Sequence, residues 1–422
     1  MYPLRHLLWF GLALIPACRD GTGPRLRDVT LNVCIAWQWV AYRNDDGPWT
    51  HLGPGDATYS IRVAPRVTIA YGRFQDSPPG ATMHIDYLHA DQLEPPTDCS
   101  PGPPGPGGQI GGTVGGLPAP QWGVVVYNGI GALVAAGSNS WQMEAQPVPA
   151  TLFAARFDSG YSELHLNRVI VRRDRSYLPG SPVPLLDFDS DEAFAPQLNT
   201  VSFMGPRASV SASAYLAGRF HGLSGDDATP ASDGVVPRTA IIQTIPAGRL
   251  AVDDLHVMSI SSAEVVTTPD DFRTTQHYFR SGTDHAMTIA PALVAPTFST
   301  VATAPYRRVR LQMPLQPEYA GPLRIEIAQC CSTHAFRATM HVTREHFGPT
   351  GGSDTGSPQP SSEWSLMLPD FTGMPGLNPA GMLREGEFSW YVSATSEPFG
   401  FRQSDARDGD IMRYASRRGS TP

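Results

Sequence analysis

Apolar and polar residues alternate along much of the chain with a period of two, which is typical of β-strands. In the first hundred residues, the apolar positions of this alternation are Val33, Ile35, Trp37, Trp39 and Ala41; Tyr59, Ile61 and Val63; Val67, Ile69 and Tyr71; and Met83, Ile85 and Tyr87. Runs with the 3.6-residue apolar period and the caps of helices are nearly absent. The pattern therefore predicts an all-β protein of short strands packed as sandwiches.

Turn-forming segments divide the chain of 422 residues into several predicted units. The 41 glycines and 41 prolines fit short strands joined by many turns. The predicted units are β-module 1 at 25–98, a Pro/Gly linker at 99–109, β-module 2 at 110–178, β-module 3 at 183–300, β-module 4 at 305–400 and a disordered polar tail at 402–422. This order predicts tandem β-sandwich modules.

The N-terminus has the features of an export signal. Residues 1–17 combine a basic start at Arg5 with an apolar run from Leu7 to Ile15, which is too short to span a bilayer. The following Ile15-Pro16-Ala17-Cys18 resembles the bacterial lipobox, with residues 18–24 as a tether. The resemblance implies a lipid on Cys18 and a membrane as partner. It predicts a cell-envelope lipoprotein, with the outer membrane favoured because Arg19, not Asp, follows Cys18.

The second module carries a resemblance of its own. It opens on residues 110–117, Ile-Gly-Gly-Thr-Val-Gly-Gly-Leu, and a proline-marked turn precedes Thr151-Leu152-Phe153-Ala154. This order resembles the carboxypeptidase-regulatory-like or transthyretin-like modules. The whole chain resembles multi-module β-sandwich lipoproteins of bacteria. These resemblances imply a fold class of Ig-like or transthyretin-like sandwiches behind a lipoprotein signal peptide, and they imply no activity.

Export would place the remaining cysteines in an oxidising compartment. Cys34, Cys99, Cys330 and Cys331 are the disulfide candidates, and four cysteines allow three pairings. A bridge between Cys34 and Cys99 would close the first module. The vicinal pair Cys330-Cys331 leaves three alternatives: a strained ring disulfide, free thiols, or a metal site with nearby histidines. Those histidines are His334, His341 and His346.

Composition excludes several classes of function. Every one of the 31 basic residues is arginine, so a Schiff-base lysine, a P-loop lysine and a Ser-x-x-Lys pair are all absent. The net charge is −8 and no long basic run occurs, which argues against nucleic acid as a partner.

Residues 187–192 form the strongest candidate cluster for a cation. Asp187, Asp189, Asp191 and Glu192 supply the hard oxygens that Ca²⁺ prefers. The alternative interpretation is a solvated acidic linker, because the glycine and glutamate of an EF-hand loop are missing. The sequence implies no other cofactor.

Aromatic side chains suggest a second kind of site. Trp37, Trp39 and Trp49 cluster in the first module, and exposed aromatic rings stack on sugars. Trp37 and Trp39 are predicted to share one strand face, where large aromatics also form core.

One segment superficially resembles a hydrolase motif. His221-Gly222-Leu223-Ser224-Gly225-Asp226-Asp227 offers Ser, His and Asp, but the spacing of a nucleophile elbow is missing.

The sequence thus favours a non-catalytic envelope lipoprotein with a structural, adhesion or ligand-binding role, whose ligand is a protein or a carbohydrate. Two alternatives remain open: an envelope hydrolase with scattered site residues, and a carbohydrate- or calcium-binding module.

Overall fold

The computed structural model describes residues 26–33, 37–54, 58–93, 107–146, 148–158, 166–205, 208–226, 238–263, 271–281, 285–331, 334–347 and 363–421. Over these residues the protein is all-β with several sheets, which is consistent with tandem β-sandwich modules and confirms the predicted class. The candidate lipidation site Cys18 and the signal peptide lie outside the described residues. No helix in the described part of the chain is long and apolar enough to cross a membrane.

Twenty-seven strands are present in the described ranges. They are β1 (Arg27–Asn32), β2 (Trp39–Asn44), β3 (Thr50–Gly53), β4 (Thr58–Val63), β5 (Arg66–Asp76), β6 (Pro79–His89), β7 (Gly108–Gly115), β8 (Trp122–Tyr127), β9 (Ile130–Val134), β10 (Ser140–Ala145), β11 (Ala150–Phe157), β12 (Leu166–Arg175), β13 (Pro182–Asp187), β14 (Gln197–Met204), β15 (Ala208–Leu216), β16 (Arg219–Asp226), β17 (Arg238–Thr244), β18 (Leu255–Ala263), β19 (Asp271–Phe279), β20 (His285–Thr288), β21 (Thr297–Ala302), β22 (Arg308–Pro314), β23 (Leu323–Cys331), β24 (His334–Val342), β25 (Glu363–Met367), β26 (Phe388–Thr395) and β27 (Ile411–Thr421). One helical turn, α1 (Arg344–Phe347), and four 3₁₀ turns accompany them: Ala90–Leu93, Ala247–Arg249, Pro379–Gly381 and Gln403–Asp405.

A twelve-stranded sheet, here called the long sheet, joins strands from the predicted modules 1, 3 and 4. Its order is β16-β15-β18-β19-β27-β26-β23-β24-β6-β5-β2-β3. Neighbouring strands are antiparallel except β24 and β6, which are parallel. These modules therefore share one hydrogen-bonded sheet, whereas the sequence predicts separate units.

One face of the long sheet is covered by two small sheets. The sheet β21-β22-β25 closes the main core, which contains Met83, Ile85, Leu311 and Ile325. The sheet β17-β14-β20 closes a second core that includes Val201 and Ile260. Each is a sandwich of the kind that alternating apolar strands predict.

The other face of the long sheet is covered at both ends: Phe401 and Ala406 pack on Tyr215, Leu255 and Met412 at one end, and β1 and β4 lie at the other. There β1 and β4 pair with each other and enclose the N-terminal core, which contains Val29, Ile61, Val67 and Ile69. Strands β5 and β6 are therefore buried on both faces near this end.

The single strand predicted from Val33 to Ala41 is replaced by two elements. β1 ends at Asn32, and β2 begins at Trp39 and is buried on both faces. Val33 lies in the N-terminal core, whereas Ala41 lies in the main core. The alternation hides this division, because a strand between two cores places apolar residues on both sides.

Strands β7 to β13 form a sandwich of their own. The sheets β10-β7-β13 and β12-β11-β8-β9 enclose a core that includes Val125, Leu152 and Phe188. This unit is longer than the predicted 110–178, because β13 adds in parallel to β7. Its first strand also begins inside the predicted linker, at Gly108.

The end of the chain differs from the predicted tail. Strand β27 lies between β19 and β26 and pairs with both along its length. Its buried residues include Met412 and Ala415. Its polar residues suggested disorder, but Arg418 and Ser420 lie exposed on one face of the strand, while Arg417 on the core face donates to the carbonyl of Leu293 at 3.1 Å.

Candidate metal centre and ligand recess

The uncovered part of the long sheet places polar side chains from several strands on one face. His84 and Asp86 are two residues apart on β6, so their side chains point to the same face. His341 lies opposite Asp86 on the parallel neighbour β24. Strand pairing alone therefore gathers these three residues, here called the His-Asp-His cluster.

The ligand atoms of the cluster converge on one carboxylate oxygen. His84 Nε2 lies 3.0 Å and His341 Nδ1 lies 3.3 Å from Oδ1 of Asp86. The rings of His84 and His341 meet edge to face, with centroids 4.6 Å apart. In the described ranges this is the only group of three or more His, Cys, Asp or Glu residues whose ligand atoms all lie within 4.8 Å of one another.

Burial and charge set the protonation of the cluster. Burial would raise the pKa of Asp86, but the hydrogen bonds and charges of His341 and His84 outweigh it and lower that pKa. Burial would lower the pKa of His84, yet its hydrogen bond to Asp86 raises it, with Arg324 opposing. Asp86 is therefore an anion at neutral pH.

The cluster is partly open to solvent. Side-chain exposures are 28% for His84, 14% for Asp86 and 31% for His341, so each of the three side chains is partly exposed to solvent. On one side, the Tyr71 ring lies 5.8 Å from the ring of His84. On the other side, Arg324 of β23 lies opposite His341.

A recess of about 730 Å³ begins one strand beyond the cluster on the same face. Its lining comes from β23, β26 and β27: Arg324, Glu326, Ala328, Ser389, Trp390, Tyr391, Arg418, Gly419 and Ser420. Glu326 accepts hydrogen bonds from two arginines, Arg324 and Arg337, the latter at 2.6 Å. The Tyr391 and Tyr414 hydroxyls are 2.5 Å apart beside it. The recess thus combines guanidinium and hydroxyl groups on an open surface.

The acidic cluster predicted for calcium is paired with arginine. Asp189 forms an ion pair with Arg156 at 3.0 Å. Both carboxylate oxygens of Glu192 accept from Arg172 at 2.7 Å.

The remaining two acidic residues do not join a common site. The Asp187 carboxylate accepts the backbone N–H of Asp189, and Asp191 is exposed. The four carboxylates therefore do not converge, and the hydrogen bonds of Arg172 lower the pKa of Glu192.

The three tryptophans form no common surface. Trp39 is 2% exposed and belongs to the main core, while Trp37 packs against the N-terminal core on the opposite face. The predicted shared face of these two residues is therefore wrong. Trp49 is half-buried, donates to the carbonyl of Asp370 at 2.8 Å, and carries Arg43 over its ring.

The histidines proposed to bind metal with Cys330 and Cys331 do not gather around Cys330, and the Cys331 side chain lies outside the described residues. Cys330 is a free, exposed thiol, and Cys34 and Cys99 lie outside the described residues. His334 is buried beside Gln329, and His346 sits in α1 against the carbonyl of Leu88. Of the histidines in that proposal, only His341 reaches a cluster of ligands, and its partners come from β6.

His221 of the superficial hydrolase motif is a core residue. Its ring lies 4.7 Å from the ring of Phe153, where β16 packs against the sandwich of β7 to β13. It is 2% exposed, and neither ring nitrogen has a hydrogen-bond partner among the described residues. His256 is buried nearby, and its Nε2 accepts the backbone N–H of Ile245.

We expect these two histidines to make folding sensitive to acid. Burial lowers the pKa of both His221 and His256 to about 4, from 6.5. Between pH 4 and 6.5 the unfolded chain binds more protons than the folded protein. The free energy of unfolding is therefore highest above pH 6.5 and falls as the pH falls towards 4. The slope is up to about 1.4 kcal/mol per pH unit for each histidine. Urea denaturation at pH 7.5, 5.5 and 4.5 measures it.

His221→Phe should flatten this pH profile, because a phenyl ring packs on Phe153 without titrating. His51→Phe is the matched control, since His51 is exposed. Equal slopes for the wild type and His221→Phe would contradict the explanation.

Sequence reasoning missed His84 and Asp86. The signal was a His-x-Asp pair on the alternating strand Met83–Tyr87, in which the apolar residues face the main core. What the sequence could not show was that β24 would add to this strand from some 250 residues away.

Comparison with known proteins identifies no family. No protein-family model matches the chain, and no curated protein matches it. Among solved structures, the FN1-FN3 domains of chicken CNTN1 are similar at 7% identity over 78% of this chain and 88% of that chain. The TM-score of 0.14 is too low to support any inference about fold or function.

Proposed function

We propose that the protein is a non-catalytic cell-envelope lipoprotein that binds an acidic polysaccharide in the recess of the long sheet. The observation that carries the proposal is the set of arginine and hydroxyl side chains on an uncovered sheet face. The volume of about 730 Å³ falls within the range of about 300–1,000 Å³ that is usual for ligand sites.

Local charge favours an acidic ligand. Two arginines, Arg324 and Arg418, line the recess with a single carboxylate, Glu326, so its lining carries a net positive charge although the whole chain carries −8. Guanidinium groups bind carboxylates through paired hydrogen bonds. The hydroxyls of Ser389, Tyr391 and Ser420 suit the hydroxyl groups of sugars.

Binding to a model acidic polysaccharide tests the proposal. We expect the protein to bind polygalacturonate in isothermal titration calorimetry and not neutral dextran. Arg418→Ala should weaken binding by about tenfold or more, which corresponds to a charge-assisted hydrogen bond of about 1.5–3 kcal/mol.

Arg310→Ala is the matched control, because Arg310 is an exposed arginine on β22, away from the recess. Equal losses in both variants would indicate non-specific attraction and would reject the recess as the site. Absence of binding to polygalacturonate would reject an acidic polysaccharide as the ligand.

The membrane anchor is the second part of the proposal and rests on the lipobox resemblance at Cys18. Mass spectrometry of the mature N-terminus should find a lipidated Cys18. An unmodified Cys18, or cleavage at another position, would reject the anchor.

A further inference from the structure

We propose that His84, Asp86 and His341 bind one divalent transition-metal ion, with Zn²⁺ as the expected occupant. This site is separate from the recess, and the proposal does not depend on polysaccharide binding. It rests on the geometry and donor chemistry of the cluster.

The spacing of the donors fits tetrahedral coordination. At metal–ligand distances of about 2.0–2.2 Å, neighbouring ligand atoms of a tetrahedral zinc site lie about 3.3–3.6 Å apart. The distances from Asp86 Oδ1 to the two histidine nitrogens are 3.0 and 3.3 Å. The two nitrogens lie within 4.8 Å of each other, so a small rotation of either ring completes the set.

The donor types also fit. Two imidazole nitrogens and one carboxylate are a usual ligand set for Zn²⁺, with the fourth position left to water or to a ligand. The partial exposure of all three side chains leaves that fourth position on the open face of the sheet. Calcium and magnesium are disfavoured, because both prefer oxygen ligands.

Metal binding replaces two hydrogen bonds. In the metal-free protein both histidines approach the same oxygen of Asp86, and a bound ion would take the place of the protons between them. Binding therefore requires that both hydrogen bonds to Asp86 give way to bonds with the ion. Among the neighbouring groups, the charge of Arg324 opposes a cation, but Glu326 pairs with its guanidinium. Tyr71 packs against His84 from the other side.

The rigid sheet preorganises the site. His84 and Asp86 are held by pairing of β6 with β5 and β24, and His341 by pairing of β24 with β23. No loop has to close to bring the donors together.

Zinc titration of the full-length protein tests the proposal. The thiols are first alkylated with iodoacetamide, and Zn²⁺ is then added in competition with a chromophoric indicator. We expect one ion per chain. His341→Ala and Asp86→Asn should each reduce the affinity by more than about 100-fold, beyond the 10–100-fold effect of residues that only support a ligand.

The control is His89→Ala. His89 lies on the same strand and its Nδ1 is 3.1 Å from the carboxylate of Asp91, but no third ligand is near this pair within the described residues. The zinc affinity of the His89→Ala variant should stay within twofold of the wild-type value. Thermal melts without metal check that each variant folds, and Asp86→Asn keeps the shape of the site if His341→Ala does not fold.

Co²⁺ provides a second readout. The d–d absorption of a tetrahedral nitrogen and oxygen site should appear in the wild type and in His89→Ala, and be lost in His341→Ala. Stoichiometric zinc binding that survives both cluster variants, or no binding by the wild type, would overturn the proposal. The Co²⁺ spectrum of the unalkylated protein could instead show a thiolate charge-transfer band, with no d–d absorption left after alkylation. That result would place the metal on cysteine and would also overturn the proposal.

Discussion

Deletion of residues 411–422 should prevent the protein from folding into its native sheet. Strand β27 pairs with β19 over Asp271–His277 and with β26 over Phe388–Thr395. Removing it leaves the inner edges of both strands without partners and uncovers the main core beside Ala415. An interior strand cannot be lost in this way without leaving buried backbone groups unsatisfied. Circular dichroism and urea denaturation should show no cooperative unfolding transition for the long sheet of the truncated protein.

A single substitution on β27 tests the packing of this strand without shortening the chain. Ala415 is fully buried, so Ala415→Asp should destabilise the protein by about 3 kcal/mol or more, the cost of a buried unpaired carboxylate. Ser420→Asp, at an exposed position on the same strand, should change stability by less than about 0.5 kcal/mol. Equal effects of the two substitutions, or a truncated chain with the wild-type melting curve, would contradict the placement of β27.

Trp39→Ala should be the most damaging single truncation in the first module. The Trp39 ring is 2% exposed, stacks on Phe74 at 5.6 Å and packs against Phe371 at 5.5 Å. A Cβ on Gly72 would lie 2.2 Å from the same ring, so the neighbouring strand is already in close contact with it. Removing a buried tryptophan costs about 3–5 kcal/mol. Urea denaturation measures the loss.

Trp37→Ala is the matched control for this prediction. Trp37 is half-buried against the N-terminal core, with Tyr71 at 6.2 Å and Arg73 over its ring. Its truncation should cost clearly less than that of Trp39. If Trp39→Ala left stability unchanged but abolished binding to a sugar, the ring would be a binding platform and its core role would be refuted.

The sequence predicts individual strands better than their partners. The alternation of Tyr59–Val63 and Met83–Tyr87 corresponds to β4 and to the centre of β6. The same alternation could not separate the two cores around β2, because a strand that is buried on both faces has no polar side to mark its orientation.

The candidate sites show the same contrast between what is local in the sequence and what depends on strand pairing. Asp187 to Glu192 were conspicuous because they adjoin in sequence, yet arginines from β11 and β12 pair with two of them. His84 and Asp86 were inconspicuous because their third partner is distant in sequence. Local composition identifies chemically able side chains, but only strand pairing brings those of different strands within ligand distance.

The sequence by itself determined the all-β class, because strands are marked by a local period of two. It also determined which lysine-dependent chemistry is excluded, because the chain contains no lysine. Only the tertiary structure decided that three predicted modules share one sheet, that the C-terminal residues form an inner strand, and that His341 meets Asp86. The physical reason is that strand pairing is non-local. Backbone hydrogen bonds carry little sequence information, so the partner of a strand is selected by the burial of side chains across the whole fold.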